Sequence, residues 1–445
     1  MKSAVHFGVF NAEALLDVTD CYVQLPAIVD RDAEKIIGAM DELLFPLCIP
    51  EDLLLTRYAI PAVQKQYLES IAFRFQCNAE SVATTYSDNS SLISLLIDEK
   101  SRKKYRSIFT ESIHLSPYAQ IPEIECLCDC YNISFRGPSV SVMKRVSSKI
   151  YSHTLHDILG IPRHSERITN IEELRKAAER FPGSKFLLKY PYGVSGKGNL
   201  LIQSGQMFER IVRYLTPQIK KGKSLELLVE PFLNKMIDFS CQMNIDSDGR
   251  CTILSVQKME NNAFAYWGSS CADSDLYALL EKNDYFDLMQ KIGSHLFTDG
   301  YFGFVCVDSM LLKDFTLVPI VEINARKSMG LINHSLNERL RNDAMKSHLR
   351  FLSVGIRSSF SYEKFIEQLG AAGLLYRNIG EPGILPLASN TLSVNRDAYC
   401  TNSGDDGTYN GRFYFSGAAP DVETANNFFS QLRVFLRHSD ICVYN

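Results

Sequence analysis

The chain has one tryptophan in 445 residues and no tract of low complexity. It also lacks any apolar run of the ~18 residues that a membrane helix needs, so no membrane association is expected. Neither charge is in excess: 47 lysines and arginines face 51 acids, for a net charge of −4. That balance argues against broad electrostatic binding to nucleic acid or to an anionic surface. No internal repeat is visible, which sets solenoids aside. Twelve cysteines are too few in so long a chain for a disulfide scaffold. Several, such as Cys241, Cys251 and Cys306, sit in apolar runs and read as reduced thiols, so a cytoplasmic home is expected. Cys126, Cys128 and Cys130 lack a second ligand pair at zinc spacing and read as strand residues.

What is present is ordinary globular composition: 46% hydrophobic, 11% aromatic and 22% charged residues. At about 150 residues per domain the length predicts roughly three domains. The opening, Met1 to Phe10, reads as a first strand and not as a signal peptide. Helical spacing over Ala33 to Leu44 and Val63 to Phe73, with a short apolar strand at Asp52 to Leu55, predicts an α/β domain on a parallel sheet. Lys149 to Leu159 and Ile171 to Arg180 read as helices. Lys185 to Tyr190, Leu200 to Gln203, Leu225 to Val229, Phe239 to Ile245 and Cys251 to Val256 read as strands. Tyr301 to Leu312 and Thr316 to Ile323 form a predicted hairpin. Asn378 to Arg412 is rich in turn residues, and Val422 to Arg437 closes the chain as a helix.

Three motifs carry chemistry. The first follows a strand: Lys189-Tyr190-Pro191-Tyr192-Gly193-Val194-Ser195-Gly196-Lys197-Gly198. Its glycines would let backbone N–H groups approach phosphate oxygens, with Lys189 and Lys197 adding charge. It is neither a P-loop nor a dinucleotide fingerprint, since Pro191, Gly198 and Leu201 stand where those patterns need other residues. A plain hairpin loop is the alternative. The second motif is Asp308 with Glu322-Ile323-Asn324-Ala325-Arg326. Glu322 and Asn324 leave one face of a strand. A hairpin turning about Phe315 places Asp308 directly opposite Glu322. Two carboxylates and an amide oxygen suit Mg²⁺ with room left for phosphate and water. A solvated polar face is the alternative, and the apolar residues around the acids argue against it. The third is Leu227 to Leu233 with Glu230, Pro231 and Phe232, then Asp238. A strand breaking at Pro231 leaves backbone groups free to read an adenine edge, and Asp238 could accept from ribose hydroxyls; an ordinary strand end is the alternative.

The order and spacing of these pieces, from Lys149 to Lys189 to Glu230 to the Asp308…Glu322-x-Asn324 hairpin, resembles the ATP-grasp superfamily of carboxylate–amine ligases over about residues 135 to 345. The closing segment around Gly383 to Leu387 is similar to peptide ligases of natural-product pathways. The resemblance implies an α/β (α+β) ATP-grasp fold. An N-terminal pre-ATP-grasp α/β domain would span 1–145. The grasp would span 146–350, with a nucleotide-covering lobe at 146–232 and a metal and substrate lobe at 233–350. A small C-terminal α+β domain would span 351–445.

By position, the resemblance also implies site roles. Lys149, Lys189, Gly193, Ser195, Gly196, Lys197 and Gly198 would contact ATP, with Glu230 and Phe232 as the adenine hinge and Asp238 on the ribose. Asp308, Glu322 and Asn324 would hold Mg²⁺, two ions in all. Arg326 would neutralise an acyl phosphate and its tetrahedral successor, and Lys258 would supply a phosphate-facing cation. Trp267 offers an aromatic wall for a substrate, or simple packing under a loop. Ser328 and Gly330, at a helix start, would hold a carboxylate. His334 is either a base or a helix-surface residue. The implied activity joins a carboxylate, of an amino acid or derivative, to an amine with release of ADP and phosphate. Passing the acyl group to the thiol of a carrier protein is the alternative, and a nucleotide-binding protein without catalysis is a third. A homodimer is expected.

Overall fold

In the computed structural model the described residues are 3–16, 21–26, 30–83, 90–193, 198–262, 265–377, 380–400 and 407–444. Ser195, Gly196 and Lys197 lie outside them, as does Val194. Among the described residues no helix is long and apolar enough to cross a membrane.

Four short strands, β1 (Ala4–Phe7), β2 (Leu53–Leu55), β3 (Gln76–Cys77) and β4 (His114–Pro117), form a parallel sheet in the order β3-β2-β1-β4. The second sheet is antiparallel. It contains β5 (Glu166–Ile168), β6 (Phe186–Lys189), β7 (Asn199–Ile202) and β8 (Leu227–Pro231), ordered β5-β8-β6-β7. Its own core takes Leu174 and Ala177 from helix Ile171–Glu179 and Phe208, Ile211, Val212 and Leu215 from helix Gly205–Lys220. Asn170 and Ser204 cap these helices, as N-terminal side-chain oxygens do.

The third sheet has nine strands: β9 (Lys235–Ile245), β10 (Cys251–Asn262), β11 (Ala265–Cys271), β12 (Gly303–Leu312), β13 (Leu317–Asn324), β14 (Lys346–Arg357), β15 (Gly383–Pro386), β16 (Thr408–Ala419) and β17 (Ile441–Val443). The order is β13-β12-β9-β10-β11-β14-β16-β15, with β17 beside β14. The expected boundary between 350 and 351 falls inside β14, so the C-terminal strands continue the same sheet. A single core joins residues of the N-terminal part, such as Phe7, Leu44 and Ile124, to Leu349, Val354, Phe413 and Leu432 near the end of the chain.

Two local features matter for the site. Helix Lys149–Leu159 covers the exposed edge of β13. Ile323 N–H donates to Ser152 Oγ at 3.1 Å, and His156 Nε2 lies 3.1 Å from the Ile320 carbonyl. An uncovered edge strand would leave those groups open. A short strap, residues 21–26, crosses to the second sheet's lobe, where Val23 N–H donates to the Ser224 carbonyl at 2.9 Å and Ser224 N–H to that of Cys21 at 2.7 Å.

The cysteine segment is a correction. Glu123–Tyr131 is a helix, ended by Asn132 in the left-handed region. Ile124 and Leu127 are its buried residues, three apart, and Cys126 faces solvent. The period is therefore helical, and the two-residue cysteine spacing does not mark a strand.

Candidate active site

The β12–β13 hairpin builds the centre. Asp308 stands opposite Glu322 and Cys306 opposite Asn324, as the sequence predicts. The route differs from a symmetric turn at Phe315. Beyond the acids Met310 pairs with Val318, so Ser309 faces three residues of β13. This irregularity shifts the register by two and offsets a turn centred one residue earlier. Phe315 itself is exposed and left-handed, with φ 65°.

Asp308 and Glu322 share a face with Ser240 of β9, which pairs with Asp308. Burial, with the neighbouring Glu322 carboxylate, pushes Asp308 up to about 7. Asn324 Nδ2 donates to Asp308 Oδ2 at 3.0 Å. Lys149, buried, donates to Glu322 Oε1 at 2.8 Å and reaches the Gly193 carbonyl at 3.4 Å. One lysine thus joins the helix, the acidic hairpin and the start of the glycine loop. Lys149 pairs with Glu322, while Asp308 has Asn324 as its amide partner and no direct ion pair among the described residues. Among the described residues no three His, Cys, Asp or Glu cluster as a metal-ligand set. The donor set is two carboxylates and an amide, hard oxygens that fit a divalent cation whose other ligands come from phosphate and water.

A cleft opens beside this centre, between helix Lys149–Leu159, the end of β8 and the hairpin. Lys149, His153, Glu230, Leu233, Met310 and Ile320 line it. Lys189 and Glu230, on adjacent strands, form a buried ion pair of 2.5 Å. Glu230 is thereby fixed in place, and the Lys189 charge is neutralised within the protein. His153 Nδ1 lies 2.6 Å from Ser165 Oγ. Asp238 pairs with Lys235 and accepts from Asn261 Nδ2 at 2.7 Å. Phe232 is 46% exposed, one strand-end beyond Glu230.

Arg326 leaves the hairpin toward the N-terminal part. Its Nε donates to Glu13 and its Nη1 to the Tyr118 hydroxyl at 3.1 Å. Its Nη2 donates to Asn324 Oδ1 at 3.1 Å. Lys327 follows it across. Its Nζ donates to the Ser116 carbonyl, Ser116 Oγ and the Pro117 carbonyl, each at 2.8 Å. Burial lowers this ammonium to about 7. Two consecutive residues therefore pin the hairpin to the carboxyl end of β4.

Other expected residues lie elsewhere. Lys258 stands opposite Phe239, whose ring packs on Tyr285 on the far face of the sheet from Asp308. It pairs there with Asp273, the cap of helix Ser274–Lys282. Trp267 lies beside the Arg350 guanidinium, 5.4 Å from its ring centroid, and Arg350 also covers Phe429. Ser328 caps helix Met329–Leu340 and donates to Gln242 Oε1. Gly330 lies so close to Gln242 that an added Cβ would meet its Nε2 at 2.5 Å. These two residues are taken up by packing. His334 sits further along that helix, half-buried and lowered by burial, near Glu338. Glu13, Tyr118, Lys327 and His153 escape the sequence reading because their neighbours are distant in the chain.

Known proteins share this architecture. The biotin carboxylase domain of a Hydrogenobacter thermophilus 2-oxoglutarate carboxylase, solved with MgADP and bicarbonate, matches with a TM-score of 0.54 at 14% identity, over 99% of this chain and 91% of that one. Biotin carboxylase from Campylobacter jejuni matches at 0.52 and 13%, over 99% and 92%. An ADP complex of N5-carboxyaminoimidazole ribonucleotide synthetase matches at 0.51 and 11%, over 98% and 96%. The chain has the ATP-grasp fold of these proteins. No protein-family model matches it. Among curated proteins, the [butirosin acyl-carrier protein]–L-glutamate ligase of Niallia circulans is 26% identical over 240 residues, 52% of this chain. The match spans 55% of that relative's length.

Proposed function

We propose that the protein is an ATP-dependent ligase that activates a carboxylate as an acyl phosphate and transfers the acyl group to an amine. The observation that carries this reading is the convergence of Asp308, Glu322, Asn324 and Lys149 on the hairpin, with Arg326 bonded to Asn324 and Lys149 shared with both the adjoining cleft and Gly193. The substrate carboxylate oxygen attacks the γ-phosphorus of ATP, the bond to the β-phosphate oxygen breaks, and ADP leaves. The amine nitrogen then attacks the acyl carbon, phosphate departs, and the amine loses a proton. Lys149 would face the polyphosphate, and Glu230 and the cleft beside it would take the adenine. Gly193 and Gly198 would contact the phosphates, and Lys189, held by Glu230, would lie toward them. Phe232 and Asp238 would lie toward the adenine and ribose. Asp308, Glu322 and Asn324 would hold Mg²⁺, which supplies charge neutralisation and a template for phosphate oxygens. Arg326, already oriented by Glu13, Tyr118 and Asn324, would face the oxyanion that develops at the acyl carbon. Lys258 has no part in this reading.

A second acceptor is favoured by particular observations. The relative's name includes an acyl-carrier protein. Positions 161–226 hold thirteen lysines and arginines against six acids in a chain that is acidic overall. On the outer face of helix Gly205–Lys220, Arg210, Arg213 and Lys220 are exposed around Tyr214. That face suits an acidic carrier protein, whose thiol would then take the acyl group in place of an amine.

The test is incubation with Mg-ATP and a panel of amino acids, with hydroxylamine as trap. ADP, phosphate and a hydroxamate are expected. AMP release would overturn the acyl-phosphate route. Turnover that requires an added carrier protein, and not a free amine, would select the second acceptor.

A further inference from the structure

The face of the sheet that carries the two acids continues beneath helix Met329–Leu340. Alternation along β12 sets Cys306 and Asp308 on that face, and the register brings Cys306 beside Gln242 of β9. Ser240, Gln242, Cys306 and Ser328 are all buried there. A buried amide costs stability unless its polar atoms are bonded. Gln242 uses both of its N–H donors and its oxygen. Nε2 donates to Ser240 Oγ at 2.9 Å and to Cys306 Sγ at 3.3 Å, and Oε1 accepts from Ser328 Oγ, the cap of the helix. The Cys306 thiol donates onward to Asp308 Oδ1 at 3.4 Å. Burial, with the Asp308 charge beside it, raises this thiol well above its ordinary range, so it stays a donor.

One line of bonds therefore runs from a helix cap to a site acid, through Ser328, Gln242, Cys306 and Asp308. A second polar chain under the same helix goes elsewhere. Asn333 Nδ2 donates to Gln257 Oε1 at 2.8 Å, Asn333 Oδ1 accepts from Ser347 Oγ at 2.6 Å, and Ser347 Oγ lies 2.7 Å from Ser416 Oγ. That chain holds no carboxylate; the first ends on one. Its last link is also particular. Asn324 Nδ2 bonds Oδ2 of Asp308, and the thiol bonds Oδ1, so the plane of the carboxylate is fixed from both sides. A thiol is a weak donor, which leaves most of the charge of Oδ1 for a cation.

We propose that Cys306 and Gln242 are positioning residues for the metal ion: Gln242, anchored by Ser328, holds the Cys306 thiol, and the thiol aims Asp308 Oδ1 at the cation. This rests on the metal-binding reading of the hairpin given above. Groups that orient a ligand from behind affect metal affinity by roughly 10- to 100-fold when they are removed.

The test uses the full chain with Mn²⁺ and a non-hydrolysable ATP analogue, with bound metal followed by electron paramagnetic resonance of the free ion. Cys306→Ala should weaken Mn²⁺ binding by roughly 10- to 100-fold. Cys306→Val, which fills the space without a donor, should do the same, and it serves where the alanine variant does not fold. Cys306→Ser should recover most of the affinity, because its hydroxyl both accepts and donates. Gln242→Ala should weaken binding in the same direction. Thermal melting of each variant separates these losses from loss of fold. Unchanged Mn²⁺ affinity in folded Cys306→Ala and Cys306→Val would overturn the proposal, and so would a folded Cys306→Ser as weak as they are. Either result leaves the metal reading standing. Wild type that binds no Mn²⁺ with the analogue would overturn the metal reading as well.

Discussion

Glu13 and Arg326 meet across 313 positions of chain. Their contact shows how far a candidate site residue depends on groups that no local pattern reveals. The acids and the arginine were legible because strand alternation is a two-residue rule, and it put Glu322 and Asn324 on one face. The arginine's partners were not, because Glu13 and Tyr118 arrive through packing of the N-terminal part. Lys258 illustrates the opposite case. The run Val256-Gln257-Lys258 places the lysine on the face of buried Val256, away from Gln257, which bonds Asn333; that alternation was available and pointed away from the acids. Two predictions belong at this scale. Glu322→Gln should abolish ADP release while the melting transition is kept, and activity close to wild type would remove the metal role. Asp41 is held by burial at about 8, well above its ordinary 3.8, though it accepts from Arg57 N–H. Its folded form binds the proton more tightly, so it costs stability as pH rises from about 4 through 8. The stability of Asp41→Asn relative to wild type should therefore increase across that window, measured by urea melts at several pH values.

Among elements, helix Met329–Leu340 is held at its start by one hydroxyl. Ser328 Oγ accepts from Leu331 N–H at 3.0 Å while donating to Gln242, so it both caps the helix and fixes it on β9. Ser328→Ala should cost about 1–2 kcal/mol of stability by denaturant titration, since it removes a cap and leaves Gln242 without that donor. Gly330→Ala should also destabilise, because its Cβ would press into Gln242. Helices such as Lys149–Leu159 and Val422–Arg437 matched the sequence to the residue, each with a capping side chain before it. The cysteine helix did not, because a short run of alternating residue types imitates a strand when its apolar spacing is not counted.

For the whole molecule, the length arithmetic predicts about three units; the described residues form three sheets, and the C-terminal strands are not a separate layer. β14 pairs with β16 along its full length and with β11 at three positions. Fragments 1–350 and 351–445, produced apart, should not fold, because the cut divides β14 and its shared core; a soluble 351–445 that melts cooperatively would contradict this. That continuity is tertiary and leaves no local signature at position 350. The strap at residues 21–26 adds a consequence of its own. It is hydrogen-bonded to the lobe at Ser224, and in the chain it lies just eight positions beyond Glu13. The lobe is thus bonded to the chain within a few positions of the carboxylate that holds Arg326. Under the nucleotide-binding role proposed for the lobe, its position and the direction of the guanidinium would be linked by chain connectivity as well as by contact.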